Sequence, residues 1–282
     1  MACESIQEKF SVSMCVYGGD NPEFFDAAVR SIVNQTVQPS EIVLTVDGPI
    51  PQTIEAVIQK YRIQLDHSAI ALHVVYLEKN VGHGEARRIC FEHCSCELIA
   101  LMDADDLSVP NRFEKQLECF FLDSELSIVG GNIFEFIGNP ENCIGKRIVP
   151  ESDTDIKSYM RKRCPMNQVT VMFRKKAVQD SGGYIDWFCD EDYFLWIRMA
   201  LAEKKFANVP ENLVNVRVGE EMYQRRGGWK YFRSEAKLQR FMLKKHLIGF
   251  PRYLINVSQR LVLQVLMPNK VRGWIFQKFA RA

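Results

Sequence analysis

Leu98-Ile99-Ala100-Leu101-Met102-Asp103-Ala104-Asp105-Asp106 passes directly from an apolar run into a cluster of acids. A buried strand that ends this way delivers its carboxylates to a sheet edge, where open α/β sheets bind their ligands. Alternate residues of an extended chain share a face, so Asp103 and Asp105 can converge on one point. Two carboxylates held together repel unless a cation sits between them, and a hard divalent ion takes oxygen ligands. The pattern predicts a metal position at a strand end, with a diphosphate as the group it would hold. The plainer alternative is an acidic turn that caps the following helix.

Working outward, Phe10 to Val16 reads as a strand, and Asn21-Pro22 opens a helix that carries Phe24, Ala27, Ala28 and Ile32 at helical spacing. Glu41 to Val46 is a second strand, stopped by Asp47-Gly48-Pro49. Ile54, Val57, Ile58 and Tyr61 mark a helix, Leu72 to Leu77 a strand and Glu85 to His93 another helix. This β-α-β-α-β-α-β order predicts a mainly parallel central sheet flanked by helices. Its strands end at Tyr17, Asp47, Asn80 and Asp103, so polar groups gather on one edge. Beyond it, the sequence predicts a helix from Pro110 through Leu122, strands over Ile128 to Ile137 and Val169 to Phe173, and a helix from Asp190 to Ala202.

Apolar and charged fractions of 47% and 25% are those of an ordinary soluble domain. The formal charge of +1 conceals an uneven distribution. Ten of the 36 Lys and Arg follow Glu235, with none of the 35 Asp and Glu, which leaves residues 1–235 at −9. The nine cysteines form no paired CxxC arrangement and read as idle thiols in a reducing compartment. The first ten residues contain Glu4 and Glu8 and no apolar core of a signal peptide, and no apolar run approaches the ~20 residues of a membrane span. A cytoplasmic protein is expected.

Five further groups are candidates for the same edge. Asp47 could accept bonds from a nucleobase or ribose, or simply close a Gly-containing turn. Tyr17 could stack on a base, or stand as a rim tyrosine. In Asn80-Val81-Gly82-His83-Gly84-Glu85-Ala86-Arg87-Arg88 one of the two arginines would face the cleft while the other is a solvated helix charge; the loop itself is neither GxGxxG nor a P-loop. Asp190-Glu191-Asp192 sits where a helix begins, and the helix dipole favours acids there. Three acids exceed what a cap needs, and Asp192, with Glu191 next, is the candidate base that would take a proton from an attacking hydroxyl. Arg225-Arg226-Gly227-Gly228-Trp229 is either a basic helix entry or a loop that brings Arg226 over a diphosphate.

Taken in order, Ser11 to Tyr17, Ser31-Ile32-Val33-Asn34-Gln35-Thr36, Glu41 to Pro49, Met102 to Asp106, Pro110 to Gln116, Asn167 to Phe173 and Glu191 to Trp196 resemble the inverting glycosyltransferases of family 2, with the GT-A nucleotide-sugar fold. Bacterial enzymes that build O-antigen, capsule or exopolysaccharide, of the amylovoran type, are the most similar in character. The resemblance implies a nucleotide-sugar donor, usually UDP-linked, bound at Tyr17, Asp47 and Asp103-Ala104-Asp105. It also implies Mn²⁺ or Mg²⁺ at Asp103 and Asp105, and a base within Glu191-Asp192. The chain departs at Gln168, where related enzymes carry His, and at Ala86-Arg87-Arg88, where they carry Ala-Arg-Asn or Ala-Leu-Asn. The rival readings are a sugar-phosphate nucleotidyltransferase and a non-catalytic nucleotide-sugar-binding protein. The first would need a cationic loop after the first strand, where Tyr17-Gly18-Gly19-Asp20-Asn21 has no cation.

A catalytic domain over 1–235 and a basic, amphipathic helical region over 236–282 are expected. In the latter, Leu247, Phe250, Tyr253, Leu254, Leu261, Trp274, Ile275 and Phe276 interleave with cations, so it would either lie on an anionic membrane or pack on the body as a closing helix pair. A polyprenyl-diphosphate-linked saccharide acceptor, at the inner face of the cytoplasmic membrane, fits the first option.

Overall fold

The computed structural model describes residues 8–185, 187–219 and 227–267, which build one nine-stranded sheet with helices on both faces. Strands β1 (Phe10–Tyr17), β2 (Glu41–Asp47), β3 (Ala71–Tyr76) and β4 (Leu98–Met102) are mutually parallel, in the spatial order β3-β2-β1-β4. Helices α1 (Pro22–Val33), α2 (Gln52–Leu65) and α3 (His83–His93) make the crossovers. The remainder contributes β5 (Leu107–Ser108), α4 (Arg112–Leu122), β6 (Leu126–Phe136), β7 (Cys143–Arg147) and α5 (Asp153–Met160). It continues with β8 (Met172–Arg174), α6 (Lys175–Asp180), α7 (Glu191–Leu201) and β9 (Lys205–Arg217). This half is mixed: β8 runs antiparallel to both β4 and β6, while β6 and β9 are parallel. Helices α8 (Trp229–Lys244) and α9 (Phe250–Leu261), the latter prolonged by a π-type turn over Val262–Leu266, end the described chain.

Local chemistry accounts for the parallel half. Asn21 caps α1 by accepting the backbone N–H groups of Glu23 (2.8 Å) and Phe24 (3.3 Å), with Pro22 as the first helical residue. The buried face of α1 is Phe25, Ala28, Val29 and Ile32, one residue round from the expected Phe24 and Ala27. Phe24 instead lies under the Arg217 guanidinium, 3.7 Å from its ring centre. Strand β4 is apolar on both sides because both sides are covered. Leu98, Ala100 and Met102 join a core layer with α1, α2 and α4, and Ile99 and Leu101 join a second layer with α3, α7 and α8. Gly48 turns the chain at φ +84°, with Asn80 backbone so near that a Cβ would meet it at 2.5 Å.

One expectation for the second half is revised, and one strand was not anticipated. Val169 to Phe173 opens with a 3₁₀ turn over Gln168–Thr170, and only Met172–Arg174 is strand. The long strand β9 carries Pro210 and several polar residues, and its sequence hides it. The pairing skips from Gly131 opposite Val209 to Asn132 opposite Asn212, so Pro210 and Glu211 are bulged out of the ladder. Helix α8 buries Leu238 and Met242 in the second core layer, so this part of the basic region packs on the body. The eight described cysteines are all free thiols.

Behind the acidic strand end sits Arg112, fully buried. It donates to the Leu101 carbonyl (2.8 Å) and to Gln116 Oε1 (3.0 Å), and Gln116 Nε2 donates to the carbonyls of Val129 and Thr170 (2.8 Å each). These bonds tie α4 to β4, β6 and the 3₁₀ turn. Replacing Arg112 with Met leaves buried acceptors unpaired, and we expect a loss of about 2 kcal/mol or more in urea denaturation. An unchanged midpoint would remove Arg112 from this supporting role.

Candidate active site

Strands β1, β2 and β4 end on one edge, as their pairing dictates: Tyr17 lies opposite Asp47, and Met102 lies level with Met14. The Tyr17 ring is partly exposed and folds over Gly19, while the Tyr17 backbone N–H donates to Asp20 Oδ2 at 2.9 Å. Asp47 is buried, and its two oxygens accept the N–H groups of Val81 (2.7 Å) and Gly82 (3.1 Å). It therefore pins the loop that leads into α3, a task that sequence reasoning did not assign to it. Each oxygen keeps a second lone pair for another donor.

The arginine ambiguity resolves cleanly. Arg88 faces outward and pairs with Glu85 and Glu92. Arg87 is buried, and its Nη2 bonds Asp103 Oδ1 at 2.7 Å. Burial works against the Arg87 charge, but Asp103 beside it outweighs that, and the net shift favours the guanidinium. Its Nη1 makes no hydrogen bond among the described residues. The same positive charge, followed by partial burial, holds His83 neutral by pushing it down to about 4.

The acids beyond Asp103 are under electrostatic pressure. Desolvation, then the Asp103 and Asp20 carboxylates, push Asp105 up to about 6. Asp106 is buried and also shifted upward, by desolvation and then by Asp105 and Asp103. Arg217 relieves part of this load from the end of β9. Its backbone N–H donates to Asp106 Oδ1 (2.8 Å) and its Nε to the Asp105 carbonyl (3.2 Å). Ala104 is buried between these acids, in the first core layer. Arg217 and Asp20 escaped sequence reasoning: one ends a strand with no legible pattern, and the other sat in a loop read only for its lack of cations.

These residues fit a divalent ion that shares its ligands with a substrate. Crowded carboxylates that repel one another are what a cation would relieve. No group of three or more His, Cys, Asp or Glu among the described residues has the arrangement to hold a metal alone. That suits Mg²⁺ or Mn²⁺ bound through one or two carboxylates, with phosphate oxygens completing the shell. Arg226, the expected diphosphate contact from the basic loop, lies outside the described residues.

Glu191 and Asp192 open α7, and Asp192 Oδ1 accepts the Tyr193 N–H at 2.6 Å. Tyr184 brings them into relation with the acidic strand end. It follows the Gly182-Gly183 turn, packs edge-on against Phe91 (5.6 Å between ring centres), and its buried hydroxyl makes no hydrogen bond among the described residues. Burial makes the hydroxyl a weaker acid, Arg87 works against that shift, and Asp192 and Glu191 add to it. Arg87 in turn feels Glu191. The strand-end acids, Arg87, Tyr184 and the α7 acids thus form one electrostatic neighbourhood. Sequence reasoning passed over this tyrosine.

The family profile described as Glycosyl transferase family 2 matches residues 11–194. The chain is 35% identical over 273 residues to the amylovoran biosynthesis glycosyltransferase AmsE of Erwinia amylovora, covering 95% of this chain and 98% of that one. It is 32% identical over 273 residues to the UDP-Gal:alpha-D-GlcNAc-diphosphoundecaprenol beta-1,3-galactosyltransferase of Escherichia coli, covering 97% of each. Among solved structures, the mannosyltransferase PcManGT of Pyrobaculum calidifontis, in complex with GDP-Man and Mn²⁺, superposes with a TM-score of 0.62 at 12% identity. That match covers 98% of this chain and 81% of that one, and it is a likeness of fold.

Asp190, just ahead of the α7 acids, is buried, and its Oδ2 makes no hydrogen bond among the described residues. Burial, then Glu235 and Asp192, push it up to about 8. In the unfolded chain an aspartate titrates near ~3.9, so between about pH 4 and pH 8 the folded state holds the extra proton and stability falls as pH rises. Asp190→Asn removes that penalty. Its melting temperature should exceed wild type by more at pH 8 than at pH 5, by about 2–4 °C per kcal/mol regained. Equal shifts at both pH values would contradict the assignment.

Proposed function

Because the chain belongs to glycosyl transferase family 2, we propose that it moves a hexosyl group, with inversion, from a UDP-linked donor to a hydroxyl of a polyprenyl-diphosphate-linked saccharide. The product would be a growing surface polysaccharide. The observation that carries this reading is the gathering of Asp20, Asp103 and Asp105 beyond the ends of β1 and β4, where desolvation and then the neighbouring carboxylates lift the Asp105 carboxyl to about 6. The Escherichia coli relative takes UDP-Gal and a GlcNAc-diphosphoundecaprenol acceptor by name, which supports both substrate classes.

In this reading Tyr17 and Asp47 receive the nucleoside across adjacent strand ends, where their backbones are in register. Asp103 and Asp105 would hold Mn²⁺ or Mg²⁺, which when bound neutralises phosphate oxygens and helps the nucleoside diphosphate leave. Ala104, buried in the turn that follows β4, sits between the two acids. Arg87 holds Asp103 in place and keeps a second guanidinium nitrogen for an anionic group in the cleft. Asp192, backed by Glu191, takes the proton of the acceptor hydroxyl as the new bond to the anomeric carbon forms. Arg226 would add positive charge over the departing diphosphate. Among the described residues no helix is long and apolar enough to cross a membrane. The enzyme would therefore meet its acceptor as a peripheral protein on the cytoplasmic face.

Screening nucleotide sugars with Mn²⁺ for release of nucleoside diphosphate tests the reading, and we expect a UDP-sugar to be turned over. Asp105→Ala should cut transfer by about 10²–10³-fold or more. Its metal-free melting temperature should be unchanged or higher, because a repelled carboxylate is gone. Asp192→Asn should lower kcat by about 10²–10⁴-fold with little change in donor affinity. Full metal-dependent activity in either variant would refute that residue's role.

A further inference from the structure

Helix α9 is built inside out. Apart from Tyr253, which packs on the second core layer, its protein-facing stripe is polar: Asn256, Arg260 and Gln264, spaced four apart, point at α8 and at the segment after α5. Asn256 Nδ2 donates to Gln239 Oε1 (2.7 Å) and to the Arg161 carbonyl (2.9 Å), Gln264 Nε2 donates to Glu235 Oε2 (2.9 Å), and Arg260 pairs with Glu235. Asn256 is 2% exposed and Gln239 fully buried. The outward face is apolar: Phe250, Leu254, Ile255, Val262 and Leu266 each leave between 47% and 66% of their surface open. A helix on a soluble body buries its apolar stripe and shows its polar one, so this reversal signals a missing apolar partner.

We propose that this face of α9 is a membrane-docking surface, its apolar side chains seated in the interface of an anionic bilayer with the helix lying in the membrane plane. The proposal deepens the function proposed above, from which it takes only the membrane as the acceptor's location. Charge selects the occupant. Arg252 on α9, Lys244 at the end of α8, Lys245 just after it, and Arg161 and Lys162 in the segment beneath α9 are all exposed. No acid follows Glu235 anywhere in the sequence. Anionic lipid headgroups complement such a rim. A second copy docked through the same patch would bring more cations and no acid from α9 to the interface, because a two-fold interface uses one patch on both sides. The chain's own residues 268–282 would bring Lys270, Arg272, Lys278 and Arg281 to an already cationic rim.

The polar underside gives this position a consequence for the chemistry. Glu235, which α9 grips through Arg260 and Gln264, is the leading neighbouring charge on Asp190, and Ser234 Oγ donates to the Phe188 carbonyl at 2.6 Å. Helix α8 therefore links α9 to the segment that leads into Glu191 and Asp192.

Vesicle flotation of the full chain tests the proposal, using phosphatidylcholine alone and phosphatidylcholine with phosphatidylglycerol. We expect binding to the anionic vesicles that weakens as salt is raised, little binding to neutral ones, and at least a tenfold loss in the double variant Leu254→Glu/Ile255→Glu. Both positions are exposed, so the variant should keep its melting temperature and its affinity for UDP with Mn²⁺. Anionic binding left intact in the double variant would overturn the proposal. So would a wild-type dimer in solution that the double variant converts to monomer without any vesicle binding. Vesicle binding by a chain that turns over no nucleotide sugar would uphold the docking face and refute the enzymatic reading instead.

Discussion

The strand end at Asp103 carries more negative charge than the protein around it can balance. Asp103 has Arg87, and Asp106 and the Asp105 backbone have Arg217, but desolvation, Asp103 and Asp20 weigh on the Asp105 carboxylate more than Arg217 relieves it. A buried apolar strand delivers these groups, and Arg112 and Gln116 lock its last turn to three other elements. Such an arrangement costs stability in the isolated protein, and it persists because the surrounding bonds over-determine it. A cation brought in with a diphosphate turns the same repulsion into attraction.

The two halves of the sheet divide the labour. The parallel half supplies a rigid edge on which Tyr17 and Asp47 stand in register, with α3 carrying Arg87 over the top. The mixed half returns chain to that edge from elsewhere: β9 ends in Arg217, and the turn before α7 presents Tyr184 and the acids that follow. Aromatic packing of Tyr184 with Phe91 and Phe173 fixes the ring from behind, leaving its hydroxyl toward Arg87 and the α7 acids. Group transfer needs a charge-stabilising end and a proton-accepting end held at a fixed separation, and the common core layer of α3, α7 and α8 provides that rigidity.

What the sequence disclosed follows from how local each signal is. Strands β1, β2 and β4, the Asn21-Pro22 helix start and the acidic strand end are set by neighbouring residues and could be read directly. The resemblance to family 2 rested on such pieces in order. Strand β9 was hidden because Pro210 and Glu211 interrupt its pattern, and only its pairing with β6 forces the bulge that accommodates them. The choice between Arg87 and Arg88 depends on which side of α3 faces the sheet, a tertiary fact. Asp47 was legible as an edge carboxylate, yet its grip on Val81 and Gly82 reaches across a crossover of more than thirty residues. The basic region was read as either membrane-binding or packed; α8 packs through Leu238 and Met242, while α9 turns its apolar face outward.

The most direct test of the metal-and-diphosphate account is anomalous scattering at the manganese edge from crystals grown with UDP and Mn²⁺. The account predicts one strong peak in contact with the Asp105 carboxylate and with the UDP phosphates. UDP bound with no manganese at that corner, and Asp103 and Asp105 turned to bulk water, would contradict it.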